Sequence, residues 1–166
     1  YNCNTDLQFQ YMSRDNKWYV SATLLYRYYP HRNMPVLTFD GADAVQRLTR
    51  IDNTHEAGTS LAMKLQPLPW LSIQPYYNYL YSNYITPNSH IRHSMHNAGI
   101  GVHFTPKNWQ ISWNGNLPVT TVNGDLYCKS GFQMTAAVQY KYQNISVALN
   151  YIYNPHPSVI YAGIQY

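Results

Sequence analysis

Charge is what this chain has least of. Lys, Arg, Asp and Glu together make up 11% of its 166 residues, where a soluble globular domain carries roughly a quarter. The 11 basic and 7 acidic residues leave a formal charge of +4. The basic ones are scattered over turns and strand ends instead of forming a stripe, which argues against a nucleic-acid partner. Nor does any run approach the ~18 consecutive apolar residues of a transmembrane helix, so membrane residence, if any, falls to strands. The two cysteines, Cys3 and Cys128, lie far apart and in no metal-ligand spacing, and the sequence gives no geometric support for a disulfide between them. A leader is missing as well. The chain opens abruptly on Tyr1-Asn2-Cys3-Asn4, so an exported protein's real N-terminus is expected upstream.

What is present is tyrosine and alternation. Eighteen Tyr and four Trp stand against four Phe, and apolar residues recur at every second position, the period of a strand with two unlike faces. Val20, Ala22, Leu24, Tyr26 and Tyr28 oppose Ser21, Thr23, Leu25 and Arg27. Leu71, Ile73, Pro75, Tyr77, Tyr79 and Tyr81 oppose Ser72, Gln74, Tyr76, Asn78 and Leu80. Ala98, Ile100, Val102 and Phe104, then Phe132 to Tyr140, then Ile145 to Tyr151, continue the pattern. The polar face is mostly small or amide side chains, which suits a wall with lipid on one side and a wet lumen on the other. Ile160, Ala162, Ile164 and Tyr166 at the C-terminus read as a closing strand of such a wall.

This reading gives an all-β fold, an antiparallel transmembrane β-barrel represented by about nine strands, near 4–12, 17–29, 54–65, 70–82, 92–104, 108–117, 129–141, 144–153 and 158–166. Tight turns at 13–17, 66–69, 105–108 and 142–144 alternate with long connections at 30–54, 82–92, 117–128 and 154–157, the asymmetry of short periplasmic turns and long outer loops. Rings cluster at two heights, with Trp18, Trp70, Trp109 and Tyr140 beside the short turns and Tyr26, Tyr79, Tyr81 and Tyr151 toward the long loops. Two such belts are expected at the two headgroup regions. Pro75 removes a ladder hydrogen bond and is expected to mark a bulge. The whole of 1–166 is then the C-terminal part of one barrel domain.

Lys107–Asn114 and Lys141–Tyr151, with the exits Asn116-Leu117-Pro118 and Asn154-Pro155, resemble the last strands of TonB-dependent outer-membrane receptors from Bacteroidetes-type bacteria. The resemblance covers most of the chain by texture. It implies a 22-stranded barrel, a plug domain and a TonB-contacting segment upstream, and energy-coupled uptake of a bulky nutrient in the outer membrane of a Gram-negative bacterium. Outer-membrane lipid, the plug, a TonB-type coupling protein and a surface lipoprotein are the partners it implies. A passive porin or small structural barrel, and a soluble all-β binding domain, are the competing readings.

Ligand contact is expected from the long loops, at Asp40, Asp43, Arg47 and His90 with Tyr84 beside them, because outer loops are free of ladder demands. Glycan, peptide, siderophore and cobalamin-like ligands are left open. Arg27, Lys64, Asn78, His103, Gln110 and Lys141 are expected to face the lumen. His90, His93 and His96 differ in strand parity, so a shared metal would require loop geometry. No paired carboxylates, Ser-His-Asp order or phosphate cradle stands out, so neither catalysis nor a cofactor is expected.

Overall fold

The computed structural model describes residues 2–40, 43–143, 145–154 and 159–162, the last four by backbone alone. Every regular element among them is a strand: β1 (Cys3–Met12), β2 (Trp18–Asp40), β3 (Asp43–Leu68), β4 (Leu71–Ile85), β5 (His90–Phe104), β6 (Trp109–Asn116), β7 (Val119–Asn123), β8 (Leu126–Ser130), β9 (Gln133–Tyr142), β10 (Ile145–Tyr153) and β11 (Val159–Ala162). They form two antiparallel sheets, one of eight strands in the order β1-β2-β3-β4-β5-β6-β9-β10 and one of three in the order β11-β8-β7.

The alternation read from the sequence is realised across the large sheet. The registers Phe9↔Ala22, Ala22↔Leu61 and Leu61↔Tyr77 put these residues on one face. Tyr77↔Ala98, Val102↔Trp113, Trp113↔Ala136 and Ala136↔Tyr151 carry the same face to the far edge. The opposite face holds Gln8, Ser21, Ser60, Asn78, Asn97, Asn114 and Asn150. Short turns close one end of the sheet. At 13–17, the Ser13 hydroxyl accepts from the amides of Lys17 and Trp18 at 3.0 and 3.1 Å, and Asn16 takes the left-handed conformation at φ 57° that Asn tolerates better than most residues.

The closed barrel is corrected by this architecture. Among the described residues the eight-stranded sheet is open, with β1 and β10 as its edges. The described part of the expected closing strand over 158–166 is β11, which pairs with β8 in the second sheet, Ile160 opposite Cys128. Ile164, Gln165 and Tyr166 fall outside the described residues. The reading of nine strands of a 22-stranded transmembrane barrel therefore does not hold. With it go the energy-coupled outer-membrane receptor, the porin alternative, the outer-membrane location, and the lipid, plug, TonB-type and lipoprotein partners, all of which rested on that wall. Among the described residues no helix is long and apolar enough to cross a membrane.

Two local expectations change as well. Within the expected loop 30–54, residues 31–40 and 43–52 continue β2 and β3 as paired strands, from His31↔Asp52 to Asp40↔Asp43. The pairing passes over Pro30 and Asn53, and Asn53 has φ 54°, so the ladder is broken where the hairpin leaves the sheet. The stretch 117–128 likewise holds the β7–β8 hairpin. Pro75 keeps register opposite Ile100, and the irregularity falls instead between Leu65 and Leu68, around Pro67.

The main core is small and lies at one end of the large sheet, on β2 to β5. Met34, Val36 and Ile51 of the hairpin extension pack with Tyr84 and Ile91, and Val122 of β7 closes on them. Burying Met34, Val36, Ile51 and Ile91 contributes about 1.5–3 kcal/mol each.

Candidate functional site

A dense buried polar network sits where the hairpin extension, the 86–89 turn and the β7–β8 hairpin meet. Asp125 is fully buried there. Its carboxylate accepts from the Leu37 amide at 3.1 Å, the Thr86 hydroxyl at 2.8 Å and the Asn88 side-chain amide at 2.6 Å. Its own amide donates to the Pro35 carbonyl at 3.0 Å. A buried carboxylate needs this many donors, because an unpaired one costs far more than a neutral polar group. The neighbouring Gly124 has φ 61°, and a Cβ there would stand 1.9 Å from the Pro35 oxygen. Glycine is therefore required both by conformation and by contact.

Tyr84 lies against this network at 2% exposure, and its hydroxyl donates to the Gly124 carbonyl at 3.2 Å. Burial pushes its pKa up to about 12. Beside it on β3, the Thr54 hydroxyl is buried with no hydrogen-bond partner. Farther out, His31 Nδ1 lies 2.6 Å from Asp52 Oδ1, and Arg50 Nε lies 3.2 Å from the same oxygen. Their hydrogen bonds, His31 first and Arg50 second, hold the Asp52 carboxyl below its ordinary range. Arg32 pairs with Glu56 and stacks over the Tyr29 ring at 5.0 Å. Arg50, Asp52 and Asn53 then line one side of a shallow groove of about 380 Å³, with Ile85, Thr86 and Pro87 on the other.

The ligand residues expected from sequence do not converge. Asp40 and Asp43 face each other at the tip of the β2–β3 hairpin, and Arg47 lies lower on the same hairpin opposite Val36. Tyr84 is in the core beneath, spent on packing and on Gly124. His90 opens β5 and bonds to Asn83 Oδ1 at 2.8 Å. The other two histidines have separate partners, His93 with the Thr120 carbonyl at 3.0 Å and His96 with the Tyr77 hydroxyl at 2.8 Å. Among the described residues no three potential metal ligands gather.

Arg27, Lys64, Asn78, His103, Gln110 and Lys141 all fall on the polar face of the large sheet by register, with Asn78 bonded to Ser60 at 2.6 Å. Among the described residues that face belongs to an open sheet. Gly124 and Asp125 were not singled out from sequence, yet Asn123-Gly124 between Val119–Val122 and Leu126–Cys128 is a recognisable hairpin signal.

The opposite face carries the most exposed apolar surface. Phe9 (62%), Leu24 (56%) and Leu149 (72%) are among its solvent-facing side chains, along with Leu7, Leu61, Met63, Ile100, Ile111 and Val147. Toward the upper end its tyrosines take polar partners: Tyr26 with His55 at 2.9 Å and Tyr79 with Ser94 at 3.3 Å. The chain matches no protein-family model, no curated protein and no solved structure, so nothing from a relative supports the receptor resemblance or assigns a ligand.

Proposed function

We propose that this chain is a non-catalytic β-sheet interaction domain that docks its apolar face onto an apolar layer of a partner protein. The single observation that carries this is the continuity of that face across all eight strands of the large sheet, from Leu7 and Phe9 on β1 to Val147 and Leu149 on β10. Monomers rarely leave contiguous apolar patches larger than a few hundred Å² uncovered. The face is built of Leu, Ile, Val and Met at its centre, with Tyr and Trp rings toward its two ends. Aromatic residues and Met are the types enriched at protein interfaces. The polar lobe around Asp125 packs at one end of the sheet, and among the described residues nothing covers the apolar face.

Bis-ANS fluorescence tests the reading. The purified chain is expected to bind the dye several-fold more strongly than a Leu24→Glu/Ile100→Glu variant with the same far-ultraviolet circular dichroism. Equal fluorescence from the two folded proteins rejects the apolar face as the docking surface.

A further inference from the structure

We propose that a cleft on the polar face of the large sheet, between β2, β3 and β4, binds a small aromatic carboxylate. Lys64 meets the acid group, and Tyr19 and Tyr76 flank the ring. The site lies on the face opposite the docking surface, so it goes beyond the interaction-domain reading and stands or falls separately from it.

The polar face is the hollow side of the sheet. Along the row Ser21↔Ala62, Ala62↔Tyr76 and Tyr76↔Gly99, every residue is half-buried. On the other face of the same strands, Leu24, Leu61 and Ile100 are exposed. The second sheet meets the large one chiefly through β7 and β5, where His93 bonds to the Thr120 carbonyl at the lobe end. The contrast between the faces of β2 to β4 therefore comes from curvature toward the polar side.

The cleft has a local origin. The β3–β4 ladder is paired at Ala62↔Tyr76 and again at Leu65↔Ile73, and it lapses between them. Pro75 falls in the lapse, and a proline has no N–H to give to a ladder. The Tyr76 side chain leaves the same spot open by leaning over β5. A Cβ on Gly99 would stand 2.6 Å from its Cε1, and its hydroxyl donates to Asn116 Oδ1 on β6 at 2.8 Å. Ala62, opposite Tyr76, is too short to fill the space. The result is a cavity of about 330 Å³ whose lining includes Tyr19, Ala62, Lys64, Gln74 and Tyr76, within the usual size of small-molecule pockets.

Its charge is unmatched. Lys64 belongs to none of the ion pairs among the described residues. Glu56 is taken by Arg32, and Asp15 in the neighbouring turn by Lys17 at 3.4 Å. Asp6 lies opposite Leu25, about 20 Å along β2 from Tyr19. The cleft is a cation with neutral walls, and a carboxylate supplies the charge-assisted hydrogen bond that the sheet does not.

The rings define the rest of the ligand. Among the described residues of the polar face, Tyr84 is in the core and Tyr29 lies under Arg32. The two remaining tyrosines, Tyr19 and Tyr76, both line this cleft. Strand spacing and rise put their backbones about 12 Å apart, room for one or two fused rings between the side chains. The Tyr76 ring is held in place by Gly99 and Asn116, so little order has to be imposed on binding. Aromatic bodies gain edge or offset contacts there beyond simple burial.

Calorimetric titration of the full chain with 2-naphthoate, its neutral counterpart 2-naphthamide and acetate tests the site. 2-Naphthoate is expected to bind about tenfold more tightly than either of the others. Lys64 is exposed, so Lys64→Met and Lys64→Arg are expected to keep the circular dichroism of the parent. Lys64→Met is expected to weaken 2-naphthoate about tenfold and leave 2-naphthamide unchanged, while Lys64→Arg retains the preference for the acid. Tyr19→Ala is expected to weaken 2-naphthoate about threefold or more. Equal affinity for 2-naphthoate and 2-naphthamide, or undiminished binding in folded Lys64→Met, overturns the proposal. So does loss of 2-naphthoate binding in Leu24→Glu/Ile100→Glu, which places the acid on the apolar face. A Lys64-dependent preference for 2-naphthoate in a chain whose dye binding ignores Leu24→Glu/Ile100→Glu supports the cleft while rejecting the docking face.

Discussion

Asn88 places one side-chain amide nitrogen 2.6 Å from Asp125 Oδ2 and 2.7 Å from the Leu37 carbonyl. A single turn residue thus ties the β2–β3 extension to the β7–β8 hairpin. Asp125→Ala is expected to cost about 3 kcal/mol or more, because it strands the buried donors of Leu37, Thr86 and Asn88 together. Asp125→Asn keeps shape and an acceptor and is expected to cost less. Urea denaturation of both variants checks the order; equal loss would remove the charge-assisted bonds as the reason.

Gly124→Ala meets both a left-handed backbone and the Pro35 oxygen. The substitution is expected to destabilise by about 1–3 kcal/mol, seen as a lower thermal midpoint. An unchanged midpoint would show that the β7–β8 turn relaxes freely away from β2.

Thr54→Val is expected to be neutral or stabilising. The Thr54 hydroxyl is buried without a partner, and removing an unsatisfied polar group relieves its desolvation cost of about 1–3 kcal/mol. A clear loss of stability in the valine variant would mean that the hydroxyl is satisfied in solution.

Tyr84 titrates high, at about 12 against an ordinary 10.0. A folded-state pKa above the unfolded one means that the fold holds the proton. Its contribution is complete below pH 10 and is lost as pH rises through 12. Absorbance at 295 nm is expected to show one tyrosine ionising late, coincident with loss of structure, and Tyr84→Phe is expected to abolish that late step. Persistence of the step in Tyr84→Phe assigns it elsewhere.

Asp52 carries the opposite sign. Its folded pKa lies below the ordinary 3.8 of an aspartate, so its contribution is present above that value and fades as pH falls through the lower folded one. Asp52→Asn is expected to flatten the acid limb of the stability curve below about pH 4, by a small amount because the side chain is exposed. An identical acid limb in the two proteins would remove the His31 and Arg50 contacts as its cause.

Strand placement over β1, β4, β5, β6, β9 and β10 was legible in the sequence because period-two alternation is local. So were the short turns, where Ser13, Asn16 and the prolines act through their own backbone. Closure was not legible. Whether β10 meets β1, or β11 meets β8, depends on curvature and long-range pairing that no local pattern carries, and an apolar face looks alike whatever covers it. The hairpin over 30–54 was hidden by its prolines and charges, since Pro30, Pro35, Asp40 and Asp43 read as loop punctuation. Its stability comes from Tyr84 and Ile91, which lie on other strands. The burial of Tyr84 was hidden for the same reason, since it reads as an exposed ring until the β2–β3 extension, Ile91 and Val122 pack around it.

Strand order in the large sheet follows chain order except where β7 and β8 intervene between β6 and β9. A chain emerging N-terminus first can therefore add each strand to the one just made, paying little loop-closure entropy per step. The interruption comes at β6, whose edge must wait until residues 117–132 have been synthesised before β9 arrives. During that interval Trp109–Asn116 is a nascent, unpaired rim. The place where this protein's folding is most open to chaperone capture or to wrong partners is the pause between its sixth and ninth strands.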